Sequence, residues 1–341
     1  MKAAVFYGKQ ILRIENAAKP SVTEDDVLIR VHACGICGTD MHIFDGDEGA
    51  APTPSGTILG HEFAGEVVEV GANVTEVRPG DRVCVDPNKL CGECSYCKGG
   101  IGHFCEHITG IGTTVNGGFA EYCVVPKSQV YPFSSRITYA QAAMTEPVSC
   151  CLHGIDLCEI QAGDTVAVFG GGMIGLLMLQ LARLRGAATL ILIEPIEEKR
   201  ELAKKLGADI LIDPFTQDIA QVLLQNGIER VSTVIECVGK TATIKQAIQI
   251  AGKKSVVMMF GLTEPRAELA IRPFEIFKKE IVLKASFINP YTQKRALALI
   301  DSGKIDVSSM VYRQASLDEL PEILADRSKR TKGKYIIVPT V

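Results

Sequence analysis

Four cysteines in one short stretch constrain this chain more than any other feature of its sequence. They are Cys91, Cys94, Cys97 and Cys105, and two residues separate each of the first three. This spacing is typical of a closed, tetrahedral four-thiolate site for zinc or a related soft metal. Disulfides are a weaker interpretation, because cysteines this close in sequence rarely reach disulfide geometry, and chance clustering is weaker still. The sequence therefore predicts a structural metal site, which makes a second, catalytic metal worth seeking.

The composition is that of an ordinary globular protein with about two domains. Of 341 residues, 47% are hydrophobic and 22% charged, and the formal net charge is -4. This balance does not favour nucleic acid or an anionic membrane as a partner. No apolar run reaches the ~20 residues of a membrane span, and the N-terminus lacks a signal-peptide core. With 12 cysteines and no export signal, we expect reduced thiols and a cytoplasmic location.

The first ~150 residues are rich in short β-like runs that glycine and proline interrupt. No long amphipathic helix is predicted before about residue 138. These features predict a β-rich lobe resembling a partial barrel. The predicted strands cover residues 27–32, 64–70, 83–85 and 119–125.

From about residue 155 the pattern changes to strands that alternate with helices. Such alternation predicts βαβ units and a parallel, doubly wound sheet, so the fold class is α/β. A helix over residues 292–302 and a β run over residues 335–338 close the chain, and we expect this tail to rejoin the first lobe. The predicted strands of the second lobe are 165–169, 190–193, 234–237 and 255–260, with helices over 174–185 and 196–206 among them.

A glycine-rich turn follows the first strand of this second lobe. Gly170, Gly172 and Gly175 match the pattern G-x-G-x-x-G, with Ile174 inside it. The pattern is weak alone, but here it follows a strand and opens a helix, which is the context that a dinucleotide-binding fingerprint requires. The glycines permit a tight turn, close approach of a pyrophosphate and close helix packing, and the helix N-terminus offers free N–H groups to the phosphates.

An acidic residue follows at the end of the next strand. Glu194 can accept hydrogen bonds from adenosine ribose hydroxyls and would repel a 2′-phosphate, so the sequence predicts NAD rather than NADP. Lys199 and Arg200 follow and are expected near the adenine side. The competing interpretation is a glycine-rich turn beside an unrelated surface glutamate.

Candidates for a catalytic metal site occur in two places in the first lobe. Cys34 and Cys37 form C-x-x-C, and His61-Glu62 follows later. Each pair is ambiguous alone, because the cysteines could be redox-active and His61-Glu62 could be a solvated turn. A catalytic zinc takes three protein ligands and leaves one position open, and a cysteine, a histidine and a carboxylate would serve.

Residues 35–40 and 60–68, the four-cysteine loop and the later G-x-G-x-x-G together resemble the zinc-dependent medium-chain dehydrogenase/reductase family. The resemblance covers essentially the whole chain. Residues 145–154 are most similar to the polyol (sorbitol-type) branch, because Glu146-Pro147 stands where liver-type alcohol dehydrogenases carry a zinc-ligating cysteine. The resemblance implies a GroES-like catalytic domain of residues 1–154 and 291–341, and a Rossmann-type NAD-binding domain of residues 155–290.

The resemblance also implies roles for individual residues. Cys37, His61 and Glu62 would be ligands of the catalytic zinc, with Glu146 as an alternative or additional ligand. Thr39 matches the hydroxyl that takes the substrate's proton, and His42 matches the histidine that passes this proton to solvent. Further cofactor contacts are expected at Val238, Gly239, Gly261, Leu262, Ser286, Phe287 and Ile288.

The expected protein is thus an oxidoreductase with two zinc ions per chain. It would transfer a hydride between NAD and a secondary alcohol of a polyol or sugar alcohol, with or without a phosphate, as a homotetramer or homodimer. Three alternatives remain at this point: a zinc dehydrogenase for threonine, glucose or a simple secondary alcohol; a zinc-ribbon nucleic-acid-binding module, which the missing basic patch disfavours; and a zinc-free quinone-reductase relative or non-catalytic binding protein.

Overall fold

The structure is a computed structural model, and it describes residues 1–47, 51–330 and 332–339. Two compact units form within it. Unit 1 comprises Met1–Ser149 and Asn289–Val341, and unit 2 comprises Cys150–Ile288.

The strands were numbered in chain order. They are β1 (Lys2–Gly8), β2 (Ile11–Asn16), β3 (Asp26–Gly35), β4 (Thr57–Ile58), β5 (Glu62–Val70), β6 (Arg82–Val85), β7 (Asn88–Lys89), β8 (Thr109–Gly110), β9 (Tyr122–Pro126), β10 (Val130–Pro132), β11 (Thr165–Phe169), β12 (Thr189–Ile193), β13 (Ile210–Ile212), β14 (Val231–Glu236), β15 (Ala251–Met259), β16 (Val282–Ala285), β17 (Val311–Ser316) and β18 (Lys334–Val338).

The α-helices are numbered in the same way. They are α1 (Gly38–Asp45), α2 (Ser95–Lys98), α3 (Tyr139–Ala143), α4 (Thr145–Cys158), α5 (Met173–Leu184), α6 (Glu197–Lys205), α7 (Ile219–Gln225), α8 (Thr241–Ile250), α9 (Pro273–Lys279), α10 (Gln293–Asp301), α11 (Leu320–Ala325) and α12 (Arg327–Arg330). Among the described residues, no helix is long and apolar enough to cross a membrane.

Unit 1 is built around a seven-stranded sheet. Its strand order is β10-β6-β5-β3-β18-β17, and β9 also pairs with β3. The predicted return of the chain's last strand is confirmed, because β18 pairs antiparallel with β3 and parallel with β17. The inward faces of these strands bury a core that includes Leu59, Phe63 and Phe119. This core holds the ends of β3, β5 and β18 close together, where the candidate metal ligands lie.

Unit 2 contains a six-stranded sheet in which every strand pair is parallel. The order is β13-β12-β11-β14-β15-β16. This is the order of a dinucleotide-binding Rossmann sheet, so the predicted α/β fold class is confirmed. Strand β11 is buried almost throughout because helices cover both faces of such a sheet. The sheet brings the carboxyl ends of its strands to one edge, where ligands of this fold bind.

The structure departs from the sequence predictions mainly at the ends of elements. Strand β3 continues three residues beyond the predicted 27–32, because its last residues pair with β5 and β18. Helix α1 lies in the lobe for which no long helix was predicted, and it is short. It matters for function, because it begins directly after Cys37.

Candidate active site

The four cysteines of the loop converge as their spacing predicts. The Sγ atoms of Cys91, Cys94, Cys97 and Cys105 all lie within 4.8 Å of one another, and none forms a disulfide. Backbone N–H groups point at the sulfurs: those of Glu93 and Cys94 donate to Cys91 Sγ, both at 3.4 Å. Backbone N–H donors also lower the pKa of Cys94 to about 6. Donors of this kind stabilise thiolates, so the cluster fits a closed zinc site.

The second cluster lies where β3, β5 and α1 meet. Ligand atoms of Cys37, His61 and Glu62 lie within 4.8 Å of one another. Cys37 caps the N-terminus of α1, and Glu62 begins β5 directly after His61. His61 is 6% exposed and Glu62 is fully buried. Buried polar groups need partners, yet Glu62 Oε1 has no hydrogen-bond partner among the described residues.

Asp40 supports this cluster and was not predicted from the sequence. It is fully buried on α1 and accepts a hydrogen bond from the Cys37 backbone N–H at 2.8 Å. Its other oxygen lies 3.4 Å from His61 Nδ1. A carboxylate in this position fixes the orientation of the imidazole and leaves the second ring nitrogen for a metal. The only local signal in the sequence is an acidic residue in the first turn of a helix that follows a cysteine.

Lys334 is a second residue that sequence reasoning missed. It begins β18, is 3% exposed, and its Nζ pairs with Glu62 Oε2 and donates to the Ile36 carbonyl at 2.8 Å. The pair requires Gly35, because a Cβ there would collide with Glu62 Oε2 and lie 2.7 Å from Lys334 Cε. Lys334 thus pairs with one carboxylate oxygen of Glu62, and the other oxygen remains available to the cluster of Cys37 and His61.

The electrostatics of this cluster favour a bound cation. Burial alone would lower the pKa of His61, but the neighbouring Asp40 carboxylate and Cys37 thiolate raise that pKa well above its usual value. The same negative surroundings attract a metal ion. A cysteine, a histidine whose Nδ1 faces Asp40, and a carboxylate with one unsatisfied buried oxygen form a donor set that fits zinc and leaves a position open.

The other three predicted catalytic residues are Thr39, His42 and Glu146, and none of them belongs to the close set of ligand atoms. Thr39 Oγ1 lies 3.7 Å from Cys37 Sγ. His42 is exposed, one turn further along α1, and its Nδ1 lies 3.1 Å from Asp47 Oδ2. Glu146 is buried in the first turn of α4, but it is not among the residues whose ligand atoms are mutually close. The geometry therefore favours Glu62 over Glu146 as the carboxylate of the cluster.

In unit 2 the glycine-rich turn has the form that phosphate binding requires. Gly170 adopts φ +96°, which favours glycine. A Cβ on Gly175 would collide with the Gly170 carbonyl, so only glycine lets the helix pack this closely. A Cβ on Gly172 would instead project into open space at the N-terminus of α5, where Ile174 is in the first turn. This open space beside free N–H groups fits a pyrophosphate.

Glu194 is buried beside this turn at the end of β12. It is 5% exposed and accepts hydrogen bonds from the backbone N–H groups of Gly171 at 2.6 Å and Ile196 at 2.9 Å. Arg200 turns towards the protein, donating to the Glu194 carbonyl at 2.7 Å and lying 3.6 Å from Asp213. Lys199 packs against Gly171 through its Cβ.

The predicted contacts near the nicotinamide belong to three segments, of which the first two, residues 238–239 and 261–262, are loops that pack against each other. A Cβ on Gly239 would collide with the Leu262 carbonyl, and one on Gly261 would collide with the Gly239 nitrogen. Val238 and Leu262 are 40% and 71% exposed. Beyond β16, the Ser286 hydroxyl is buried with no hydrogen-bond partner in the described parts of the chain, Phe287 is exposed, and Ile288 has φ +44°.

Glu236 joins these two loops and was also missed by sequence reasoning. It is fully buried at the end of β14. Its carboxylate accepts from the N–H groups of Val238 and Gly239, and its backbone carbonyl accepts from the N–H groups of Phe260 and Gly261. The signal in the sequence is a carboxylate at the carboxyl end of a buried strand, just as Glu194 directly follows β12.

Comparisons with known proteins identify the family of the chain. The family description "Alcohol dehydrogenase GroES-like domain" matches residues 23–135, and "Zinc-binding dehydrogenase" matches residues 173–302. D-arabinitol dehydrogenase 1 of Uromyces fabae is 33% identical, over 98% of this chain and 97% of its own length. L-threonine 3-dehydrogenase of Caldanaerobacter subterraneus subsp. tengcongensis is 32% identical, over 98% of this chain and 97% of its own.

A solved structure is similar along its whole length. A putative zinc-binding dehydrogenase from Sinorhizobium meliloti 1021, bound to NADP, has a TM-score of 0.95 and 38% identity, and the match covers 99% of each chain. The fold, the two cysteine-containing clusters and the relatives all indicate the same family. The chain therefore belongs to the zinc-binding, medium-chain alcohol dehydrogenase family and is an NAD(P)-dependent zinc dehydrogenase that acts on CH–OH groups.

Proposed function

We propose that this enzyme uses NAD to oxidise a secondary alcohol of a polyol or sugar alcohol, free or phosphorylated. The observation that carries the proposal is the cluster of Cys37, His61 and Glu62, in which a thiol, an imidazole and a carboxylate converge and the last two are buried. The Glu146-Pro147 pair resembles the polyol branch, and the arabinitol dehydrogenase relative supports that substrate class. Unit 1 would carry the zinc chemistry and unit 2 would bind the cofactor.

In this proposal Cys37, His61 and Glu62 hold the catalytic zinc, and Cys91, Cys94, Cys97 and Cys105 hold the structural one. Bound zinc supplies Lewis acidity that lowers the pKa of the substrate hydroxyl, and NAD accepts the hydride from the carbinol carbon. Asp40 orients His61 through Nδ1, and Lys334 fixes the carboxylate of Glu62. Glu146, which lies outside the close set, would at most be an exchanging partner of the site.

We propose that the proton of the alcohol leaves through residues of α1. Thr39 Oγ1 lies 3.7 Å from the Cys37 sulfur, so its hydroxyl could accept the proton of an alcohol bound beside Cys37 while it releases its own proton towards solvent. His42 is exposed and can pass a proton to solvent, with Asp47 beside it to stabilise the imidazolium. Thr39 would therefore be the catalytic proton acceptor and His42 the group that connects it with water.

The preference for NAD follows from the surroundings of the glycine-rich turn. Glu194 retains acceptor capacity beyond its two backbone hydrogen bonds, so it can bind ribose hydroxyls. A 2′-phosphate at this position would meet its negative charge. The Sinorhizobium meliloti relative was solved with NADP, and an NADP complex here would need a cation. Arg200 is engaged with Glu194 and Asp213, which leaves Lys199 as the available residue.

We further propose that the enzyme forms homodimers or homotetramers. Strand β16 is the last strand of its sheet, and such an edge offers unpaired backbone groups to another chain. Phe274 and Phe277 on the adjacent α9 are 67% and 77% exposed. Exposed aromatic residues beside an open strand edge favour contact with a second copy. Light scattering that gives the mass of a single chain would contradict this proposal.

A cofactor-reduction screen tests the function directly. The purified, zinc-replete enzyme is mixed with NAD or NADP and with polyols, polyol phosphates, glucose, simple secondary alcohols or L-threonine. We expect reduction of NAD to be fastest with a polyol or polyol phosphate, and about two zinc ions per chain by elemental analysis. Fastest turnover with L-threonine would replace the polyol assignment with the alternative that the Caldanaerobacter relative supports. Protein without zinc would overturn the proposal altogether.

A further inference from the structure

We propose that Glu236 is a positioning residue for the nicotinamide end of the cofactor site and that its buried charge favours binding of the oxidised cofactor. The inference rests on the proposed function, because it takes the loops at Val238–Gly239 and Gly261–Leu262 as the nicotinamide-binding side of unit 2.

The position of Glu236 in the sheet supports this role. It ends β14 and pairs in register with Phe169, the residue immediately before the glycine-rich turn. In a sheet of this order, the first three strands bind one mononucleotide and the next three bind the other. Strand β14 begins the second half, so Glu236 stands where the nicotinamide half of a dinucleotide starts. A Cβ on Gly170 would lie 2.9 Å from Val238, so the loop after Glu236 contacts the phosphate-binding turn.

Glu236 accepts hydrogen bonds from the loop at Val238–Gly239 and from the loop at Gly261–Leu262. Its Oε1 accepts from Val238 N–H at 2.8 Å, Gly239 N–H at 3.0 Å and the Thr243 hydroxyl at 2.7 Å. Its backbone carbonyl accepts from the N–H groups of Phe260 at 2.9 Å and Gly261 at 2.8 Å. One fully buried residue therefore accepts hydrogen bonds from both loops, with its carboxylate for the first loop and its backbone carbonyl for the second.

The negative charge of Glu236 affects the two oxidation states of the cofactor differently. Its partners are N–H and O–H dipoles, and it forms no ion pair within residues 1–47, 51–330 and 332–339. Its field is therefore not cancelled by a neighbouring cation, and low-dielectric surroundings screen it poorly. The oxidised nicotinamide ring carries a positive charge and the reduced ring does not. A buried negative charge beneath this site stabilises the oxidised form selectively.

The experiment compares dissociation constants for NAD⁺ and NADH in wild type and in three variants. Glu236→Gln keeps the shape and one carbonyl acceptor but removes the charge, and it should weaken NAD⁺ binding on the order of tenfold more than NADH binding. Glu236→Asp keeps the charge and should therefore keep most of the wild-type ratio. Thr243→Val is the matched control: it removes a donor to the same oxygen without changing charge, and should affect both cofactors equally.

The outcomes separate this inference from the proposed function. Equal weakening of NAD⁺ and NADH by Glu236→Gln, or no change in either, overturns the charge effect while leaving the dehydrogenase assignment intact. Wild-type protein that binds neither cofactor overturns the proposed function and this inference with it. If Glu236→Gln does not fold, the ratio in Glu236→Asp decides: loss of the wild-type preference for NAD⁺ although the charge is kept refutes the proposal.

Discussion

Asp86 provides a direct quantitative test of how unit 1 is held together. It follows β6, is 9% exposed, and its Oδ1 accepts from the Asn88 N–H at 3.1 Å and from the Asn289 side chain at 3.3 Å. Asn289 also donates to the Ser149 hydroxyl at 2.8 Å. This network joins the end of β6, the helix α4 and the start of the returning segment. Burial raises the pKa of Asp86 from 3.8 to about 6, although both hydrogen bonds act to lower it.

The sign of the pH effect follows from that raised pKa. Folding favours the protonated form of Asp86, so its contribution to stability is full below pH ~4 and is lost as pH rises through about 6. A rise of about two pKa units corresponds to about 3 kcal/mol. Asp86→Asn keeps the oxygen that accepts both hydrogen bonds but carries no charge. We therefore expect the variant to be more stable than wild type at pH 7, by at most about 3 kcal/mol.

Chemical unfolding between pH 4.5 and 8 measures this difference. The stability gained by Asp86→Asn should increase from pH 4.5 to about 6.5 and stay constant above that. Asp25→Asn is the matched control, because the exposed Asp25 has its pKa lowered chiefly by a hydrogen bond from Lys127. Asp25→Asn should instead be less stable than wild type, by an amount that stays nearly constant from pH 4.5 to 8 and disappears only as the pH falls below that range. A gain for Asp86→Asn that does not vary with pH would refute the reasoning.

Three further substitutions test the sites. Lys334→Met leaves Glu62 buried without its cation and should lower the free energy of unfolding of the metal-depleted protein by about 3–5 kcal/mol. Chemical unfolding measures this, and the double variant Lys334→Met/Glu62→Gln should recover part of the lost stability. Thr39→Val should keep zinc and cofactor but lose ~10²–10⁴-fold in kcat, and a near-wild-type rate with zinc present would make Thr39 a packing residue. Glu194→Ala should narrow the preference for NAD by about 1–3 kcal/mol in kcat/KM, and faster wild-type turnover with NADP would contradict the assignment.

The sequence predicts those parts of the sites whose chemistry is encoded locally. The spacing of Cys91, Cys94 and Cys97 predicts a cluster because a short loop brings the sulfurs together whatever surrounds it. Gly170 and Gly175 are predictable for the same reason, since the turn, the close approach of Gly175 and the helix that follows lie within one short segment. The alternation of strands and helices also predicts the parallel sheet of unit 2, but the short edge strands β13 and β16 are not among the strands that the sequence predicts.

Residues whose partners are distant in sequence cannot be predicted from local sequence patterns. Lys334 begins a strand near the end of the chain, where a lysine normally suggests an exposed edge, and only the pairing of β18 with β3 brings it to Glu62. Asp40 resembles an ordinary acidic residue in the first turn of a helix until His61 is placed beside it. In each case the missing information is a contact made by the folded sheet.

The charges of the catalytic cluster explain why a lysine is buried there. Cys37 as thiolate, Asp40 and Glu62 bring three negative charges into a region that excludes water, and burial of unpaired charge is costly. A divalent ion supplies two positive charges and Lys334 supplies the third, so the loaded site is neutral overall. An apolar residue at Lys334 would leave one excess negative charge, whereas a second thiolate in place of Glu62 would leave the balance unchanged. Charge balance therefore requires a cation at position 334, whereas either a carboxylate or a thiolate at position 62 would satisfy it.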